Sequence, residues 1–164
     1  SKLEYMKVTL DTVSYSNPSD RKILISCLSG WFTNPRELQF TEPRMTYPFD
    51  FRKWCSQSYN EDNIQSYVVK KDKWIIAYLS VKVIYENRKA HFFHLFVDQK
   101  YRQQGLAKML LDHAIQFVEK SKLNYITLHV VSKNVRARSI YKQFGFIEVG
   151  ETSRGSIKMK KDLG

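Results

Sequence analysis

The stretch that most constrains this chain lies between Gln65 and Val131. Three apolar, β-rich runs follow one another closely, Gln65–Lys70, Trp74–Glu86 and Ala90–Val97, with polar turns at Lys71-Asp72 and Asn87-Arg88. Turns this short between β-rich runs join antiparallel strands. A helical pattern follows to about Ser121, with Leu106, Leu110, Ala114, Phe117 and Val118 on one wide apolar face. Tyr125–Val131 then reads as a buried strand, and strand, helix, strand implies a right-handed parallel crossover. The expected architecture is therefore α/β (α+β), a mixed sheet in which an antiparallel meander runs into a crossover.

The flanks read less regularly. Glu4 to Ser14 suits a first strand, broken by Asn17-Pro18-Ser19-Asp20, where Ser19 or Asp20 can cap a helix running to about Phe32. Residues 33–63 are expected to be irregular, with three prolines, many aromatics and a short helix over Phe51–Tyr59. A connection of that length is often functional, although aromatic packing under a loop explains most of its side chains. Val135–Phe144 is a second amphipathic helix, with Asn134 as N-cap and Gly145 as its stop, and Phe146–Val149 and Ser156–Lys160 complete the sheet. No repeat or linker divides the chain, so residues 1–164 are expected to form a single domain.

Hydrophobic residues make up 43% and aromatics 14%, enough for a proper core. No apolar run approaches the roughly 18 residues that span a bilayer, and the start shows no signal-peptide pattern. Cys27 and Cys55 are too few for a disulfide framework or a zinc site. A cytoplasmic protein with no membrane partner and no metal is expected, as monomer or homodimer. The formal charge of +11 favours anionic partners and disfavours polyamine acceptors, although solubility alone would account for it. Nucleic acid is not an expected partner, but the charge suits proximity to the ribosome.

The strand ending at Val97 runs into a basic, amide-rich loop, and a helix opens at about Gln104. Gly105 lets backbone lie close to a ligand. The first turn of a helix leaves N–H groups unpartnered and carries roughly half a positive charge. Amides of Gln103, Gln104, Gly105, Leu106 and Ala107 would form a phosphate cradle, with Arg102 and Lys108 adding full charges. The plain alternative is a helix start with solubilising cations.

The spacing Arg102-x-x-Gly105-x-Ala107 resembles the acetyl-CoA pyrophosphate loop of the GNAT acetyltransferases, Arg/Gln-x-x-Gly-x-Gly/Ala. The run Leu128-His129-Val130-Val131-Ser132-Lys133-Asn134, continuing through Ala137 and Tyr141 to Gly145-Phe146, resembles the closing motif of the same family. The resemblance covers about Tyr67 to Lys160; before that, only the element order matches. It implies the GNAT fold, a twisted sheet whose central strands splay apart near Val97 and Val131. It also implies acetyl-CoA as cosubstrate. The pantetheine arm would pair with backbone at Leu95, Phe96 and Val97, and the pyrophosphate would sit over Gln103 to Lys108. Asn134 would bond the arm, Ala137 would lie beside it, and Tyr141 would face the sulfur as acid to the leaving thiolate. A backbone N–H near Phe96 or Val97 would stabilise the oxyanion.

An amine must be neutral to attack. At pH 7 this costs an α-amine of pKa about 7.8 about 1 kcal/mol, and a lysine near 10.4 about 4.6 kcal/mol. His129 is the favoured general base and His91 the second candidate, acting through a water. Protein N-terminal acetyltransferases commonly carry Glu or His at the position of His129. One eukaryotic branch, which the Leu-His-Val run resembles, carries a Tyr at that of His91. His94 and His113 read as structural or exposed. The expected acceptor is a peptide or protein N-terminus. A small-molecule amine, and a non-catalytic CoA- or anion-binding module, stay open.

Overall fold

The computed structural model describes residues 7–164. Its elements in chain order are β1 (Val8–Val13), α1 (Pro18–Trp31), α2 (Pro35–Thr41), α3 (Phe51–Ser58), β2 (Ile64–Lys71), β3 (Trp74–Ile84), β4 (Lys89–Val97), α4 (Leu106–Lys120), β5 (Tyr125–Val131), α5 (Val135–Gln143), β6 (Ile147–Glu151) and β7 (Ser156–Asp162). The seven strands form one sheet in the order β1-β2-β3-β4-β5-β7-β6. Every neighbouring pair is antiparallel except β4 and β5, which are parallel, as the crossover through α4 requires. Among the described residues no helix is long and apolar enough to cross a membrane.

Several expectations need correction. The part of the first strand expected at Glu4 to Met6 lies outside the described residues. Helix α1 is capped by Asn17, not by Ser19 or Asp20, and the Asn17 side chain accepts from the Asp20 amide at 3.0 Å. Pro18 takes the first helical position, where its missing N–H costs nothing. In residues 33–63 the expected short helix forms as α3, but a further helix, α2, precedes it where irregular chain is expected. Asn34 caps α2 ahead of Pro35, and Asp50 caps α3. Helix α4 starts at Leu106, with Gly105 as its cap, rather than at Gln104. Asn134 does cap α5, and Gly145 ends it at φ +90.

The sheet separates two cores. Helix α4 covers one face through Leu106, Leu110, Ala114 and Val118, packed on Leu79, Val81, Phe92, Ile126 and Leu128. Helices α1 to α3 cover the other, with Leu24, Leu28, Phe32 and Trp54 against Tyr78 and Phe96. Strand β4 contributes to both, and a bulge sends Phe92 and Phe96, which plain alternation would put on one face, to opposite layers. Tyr78 opposes Phe96 and Ser80 opposes Phe93, which leaves His94 and Leu95 facing the single residue Leu79. His94 takes the left-handed conformation there, φ +59. Before the bulge Phe92 points toward α4; after it Phe96 points toward α1.

The pairing of β4 with β5 is short. It runs from Lys89 opposite Tyr125 to Phe92 opposite Leu128 and stops. From Phe93 onward β4 has no partner on that side, and the strands part where the bulge bends β4.

Candidate functional site

A cavity of about 720 Å³ occupies the opening where the strands part. Its walls are the end of β4 (Leu95, Phe96, Val97), the turn into α4, the start of α5 (Asn134, Ala137, Ile140), and the outer face of α2 (Arg36, Glu37, Phe40, Thr41). Gln103, Gly105, Leu106, Ala107 and Lys108 line it together. Gln103 and Gly105 are both left-handed, at φ +62 and +84. That alternation turns successive N–H groups to one side, the geometry of an anion nest. Gly105 makes no side-chain cap, and the first protein-bonded amide of this turn is that of Met109, donating to the Gly105 carbonyl at 3.0 Å. The amides from Gln103 to Lys108 therefore donate to no acceptor among the described residues. Cations Arg36, Lys108, Lys133 and Arg136 surround them. This donor set fits a diphosphate. The apolar strip of Leu95, Val97, Ala137 and Ile140 fits the thin arm that would follow it.

Arg102 is spent differently from the expectation of a free charge. Its guanidinium forms a bidentate pair with Glu37 on α2 at 3.0 and 2.8 Å, and its Nε donates to the Val97 carbonyl at 3.0 Å. It clamps α2 to the turn. The Asn134 carbonyl oxygen accepts from the Ala137 amide at 3.3 Å, which leaves its NH₂ uncommitted on the cavity wall.

A second cavity of about 450 Å³ lies beyond Phe40 and Thr41, which border both. His91 and His129 line it, brought together from β4 and β5, with rings 5.0 Å apart and edge-on. His91 Nδ1 shares a 2.8 Å hydrogen bond with Thr127 Oγ1. Burial, reinforced by His129 and nearby cations, pushes its pKa down to about 3. His129 is exposed, yet burial of part of its ring, then Lys158, Lys89 and Arg44, lower its pKa as well. Both imidazoles are neutral at pH 7, the form a base requires.

Tyr141 lines neither cavity. It is 7% exposed on the inner side of α5, packed edge-on to Phe146 at 5.9 Å. Burial raises its pKa, so the hydroxyl stays protonated, and it has no hydrogen-bond partner among the described residues. Helix α5 thus presents Ala137 and Ile140 to the first cavity while Tyr141 lies one turn inward.

Other side chains of these cavities were not legible as site residues. Glu42, 2% exposed, accepts from Arg44 at 2.7 and 3.0 Å and pairs with His94 Nε2 at 3.0 Å. His94 Nδ1 meets the Tyr59 hydroxyl at 2.7 Å, and its ring stacks on Trp54 at 3.9 Å. Burial lowers the pKa of His94 against the pull of Glu42, so we assign a neutral ring that donates through Nε2 and accepts at Nδ1. Tyr59 continues the network to Tyr78 and Tyr15. Burial pulls the Glu42 carboxyl up, but hydrogen bonds from His94 and Arg44 outweigh it and hold it well below the carboxylate range.

Glu42→Ala is expected to cost about 3 kcal/mol in urea unfolding, because it strands a buried donor and an arginine. The carboxylate's contribution is complete above its unfolded pKa and fades as pH falls below it. The gap between wild type and variant should therefore be full near ~pH 6 and shrink toward ~pH 3. A gap that grows on acidification would contradict the ionised assignment.

The wall formed by α2 was missed although Asn34-Pro35 is a cap followed by a proline at the first helical position, a usable helix start. Lys133 and Arg136 lay inside a motif read for His129, Asn134, Ala137 and Tyr141.

The profile of the Acetyltransferase (GNAT) family matches residues 28–146. The chain belongs to the GNAT family. This GNAT chain is 37% identical over 60 residues to the [ribosomal protein bS18]-alanine N-acetyltransferase of Escherichia coli K12, covering 37% of the chain and 40% of that protein. It is 31% identical over 65 residues to human N-acetyltransferase 8, covering 40% of the chain and 29% of that protein. The matches thus span less than half the length of either curated relative. The GNAT domain of S. lividans PAT superposes with a TM-score of 0.80 at 14% identity, over 95% of this chain and 90% of that one, which shows the shared fold.

Proposed function

We propose that this chain is an acetyl-CoA-dependent N-acetyltransferase that transfers the acetyl group directly to a primary amine, with a peptide N-terminus as acceptor. One observation carries the reading. An unpartnered amide cradle lines the opening between β4 and β5, and a pair of neutral histidines lines the cavity on the other side of Phe40 and Thr41. Support for a peptide acceptor comes from the Leu128-His129-Val130 run and from the relative whose name gives an alanine of a ribosomal protein as its acceptor.

When bound, acetyl-CoA supplies the thioester-activated acetyl group. The chain does the rest. Gln103 to Lys108 hold the diphosphate through backbone N–H groups. Arg102 acts by fixing the turn against α2, and Asn134 offers its NH₂ to the arm. Leu95, Phe96 and Val97 present strand backbone that β5 no longer occupies, and an N–H there stabilises charge developing on the acetyl oxygen. His129 takes the amine proton as the N–C bond forms and the C–S bond breaks. His91, deeper in the same cavity, orders a water between the amine and the base. Tyr141 protonates the departing thiolate.

The deciding experiment is acetyl transfer from labelled acetyl-CoA to a panel of peptides and small amines, read by mass. Peptide α-amines acetylated well ahead of free amines support the reading; transfer to small amines alone overturns the acceptor, and transfer to neither overturns the activity. His129→Ala should lower kcat/KM by about 10²-fold near neutral pH. Since the pKa of His129 lies below its ordinary value, the base stays unprotonated as pH falls to about 6.5, and the wild-type decline over that range should follow protonation of the acceptor amine alone. The variant, relying on solvent, should recover part of its loss as pH rises. A loss uniform across pH would remove His129 as base.

A further inference from the structure

The histidine cavity has a floor whose charge is one-sided. Cross-strand neighbours share a face of the sheet. On the face carrying the histidines, Lys82 neighbours His91, His91 neighbours Thr127, and Thr127 neighbours Lys160; one row on, His129 neighbours Lys158. The acids nearby are already matched. Glu42 is held by Arg44 and His94, Glu61 by Lys82 at 3.1 Å, and Asp162 by Lys160 at 3.3 Å. Glu151 sits opposite Ile157, which belongs to the α4 core, and so lies on the other face. Three cations near the histidines remain without a carboxylate among the described residues, of which Lys89 lies over the Tyr125 ring at 5.9 Å. Lys158 stands beside His129, and Arg154 lines the cavity from the turn between β6 and β7.

We propose that Arg154 and Lys158 form an anion subsite, and that the acceptor is an amine carrying an acidic group a few bonds away, namely a peptide with Asp or Glu directly after its N-terminal residue. The assignment rests on the acetyltransferase reading above and names the acceptor class which that reading leaves open. One physical consequence favours it: an acidic side chain offsets the surplus positive charge, which would otherwise repel a second cation.

The test measures kcat/KM for matched peptides beginning Ala-Asp-Glu, Ala-Ser-Gly and Ala-Lys-Arg, alongside β-alanine and β-alaninamide as a matched small-molecule pair. Acidic over basic peptide should be favoured on the order of tenfold at low ionic strength, with the preference shrinking as salt is added. In the Arg154→Ala/Lys158→Ala double variant that ratio should collapse toward unity, and in Lys158→Glu it should invert. Acetyl-CoA affinity reports that each variant is folded. Equal rates within both matched series, or a preference that survives the double variant, overturn the subsite. Acetylation confined to the small-molecule pair overturns the peptide acceptor, while a β-alanine preference there still upholds the anion subsite. No transfer to either series overturns both.

Discussion

Gly105→Asp should abolish acetyl-CoA binding, with a loss of affinity of at least about 100-fold by titration calorimetry. Gly105 sits at φ +84 in the middle of the amide cradle. A side chain there pays for a left-handed backbone, about 1–2 kcal/mol. A carboxylate also places negative charge where the diphosphate would lie, and two unit charges about 4 Å apart repel by about 4 kcal/mol near a protein surface. Together these exceed the roughly 2.7 kcal/mol that a 100-fold change represents. Gly105→Ala carries the backbone cost alone and should lose far less. Circular dichroism checks that α4 still forms. An aspartate variant that binds acetyl-CoA as the wild type does would end the cradle assignment.

Tyr141→Phe should lower kcat on the order of 10²-fold while acetyl-CoA affinity changes by no more than about twofold. The hydroxyl is the only atom removed, and it has no protein partner to strand. Burial keeps it protonated across the working pH range, so it is always in the donating form. If it donates to the leaving sulfur, the deficit must shrink with an acyl donor whose thiol is more acidic and needs no proton to depart. Unchanged turnover, or an equal deficit with both donors, would leave Tyr141 a packing residue beside Phe146.

The sheet from β2 to β5 was legible because its signals are local: two-residue polar turns, alternation, and one wide apolar helix face. The opening between β4 and β5 was legible only through the family resemblance, since nothing in His91–Val97 marks where pairing stops. The bulge that accompanies it uses a histidine at positive φ, where sequence reading looks for glycine. Helix α2 was hidden by its shortness and by the aromatics around it, although its cap at Asn34 was readable, whereas α3 was legible as a short helix over Phe51–Tyr59. His129 and His91, read separately as candidate bases, lie with their rings 5.0 Å apart. Arg102 could not be understood from its motif, because its partner Glu37 lies 65 residues away in the chain. The Glu42–His94–Tyr59 network joins three distant segments by burial, which composition does not reveal.

The change of facing along β4 means that a single strand is anchored in two independent interiors. Ala90 and Phe92 lie in the α4 core, with Leu95 and Val97 packed against it, whereas Phe96 lies in the aromatic cluster around Trp54. Repacking beneath α1 and α3 would therefore bear on the unpaired end of β4 through Phe96, while Leu95 and Val97 tie that same end to the layer on which α4 rests.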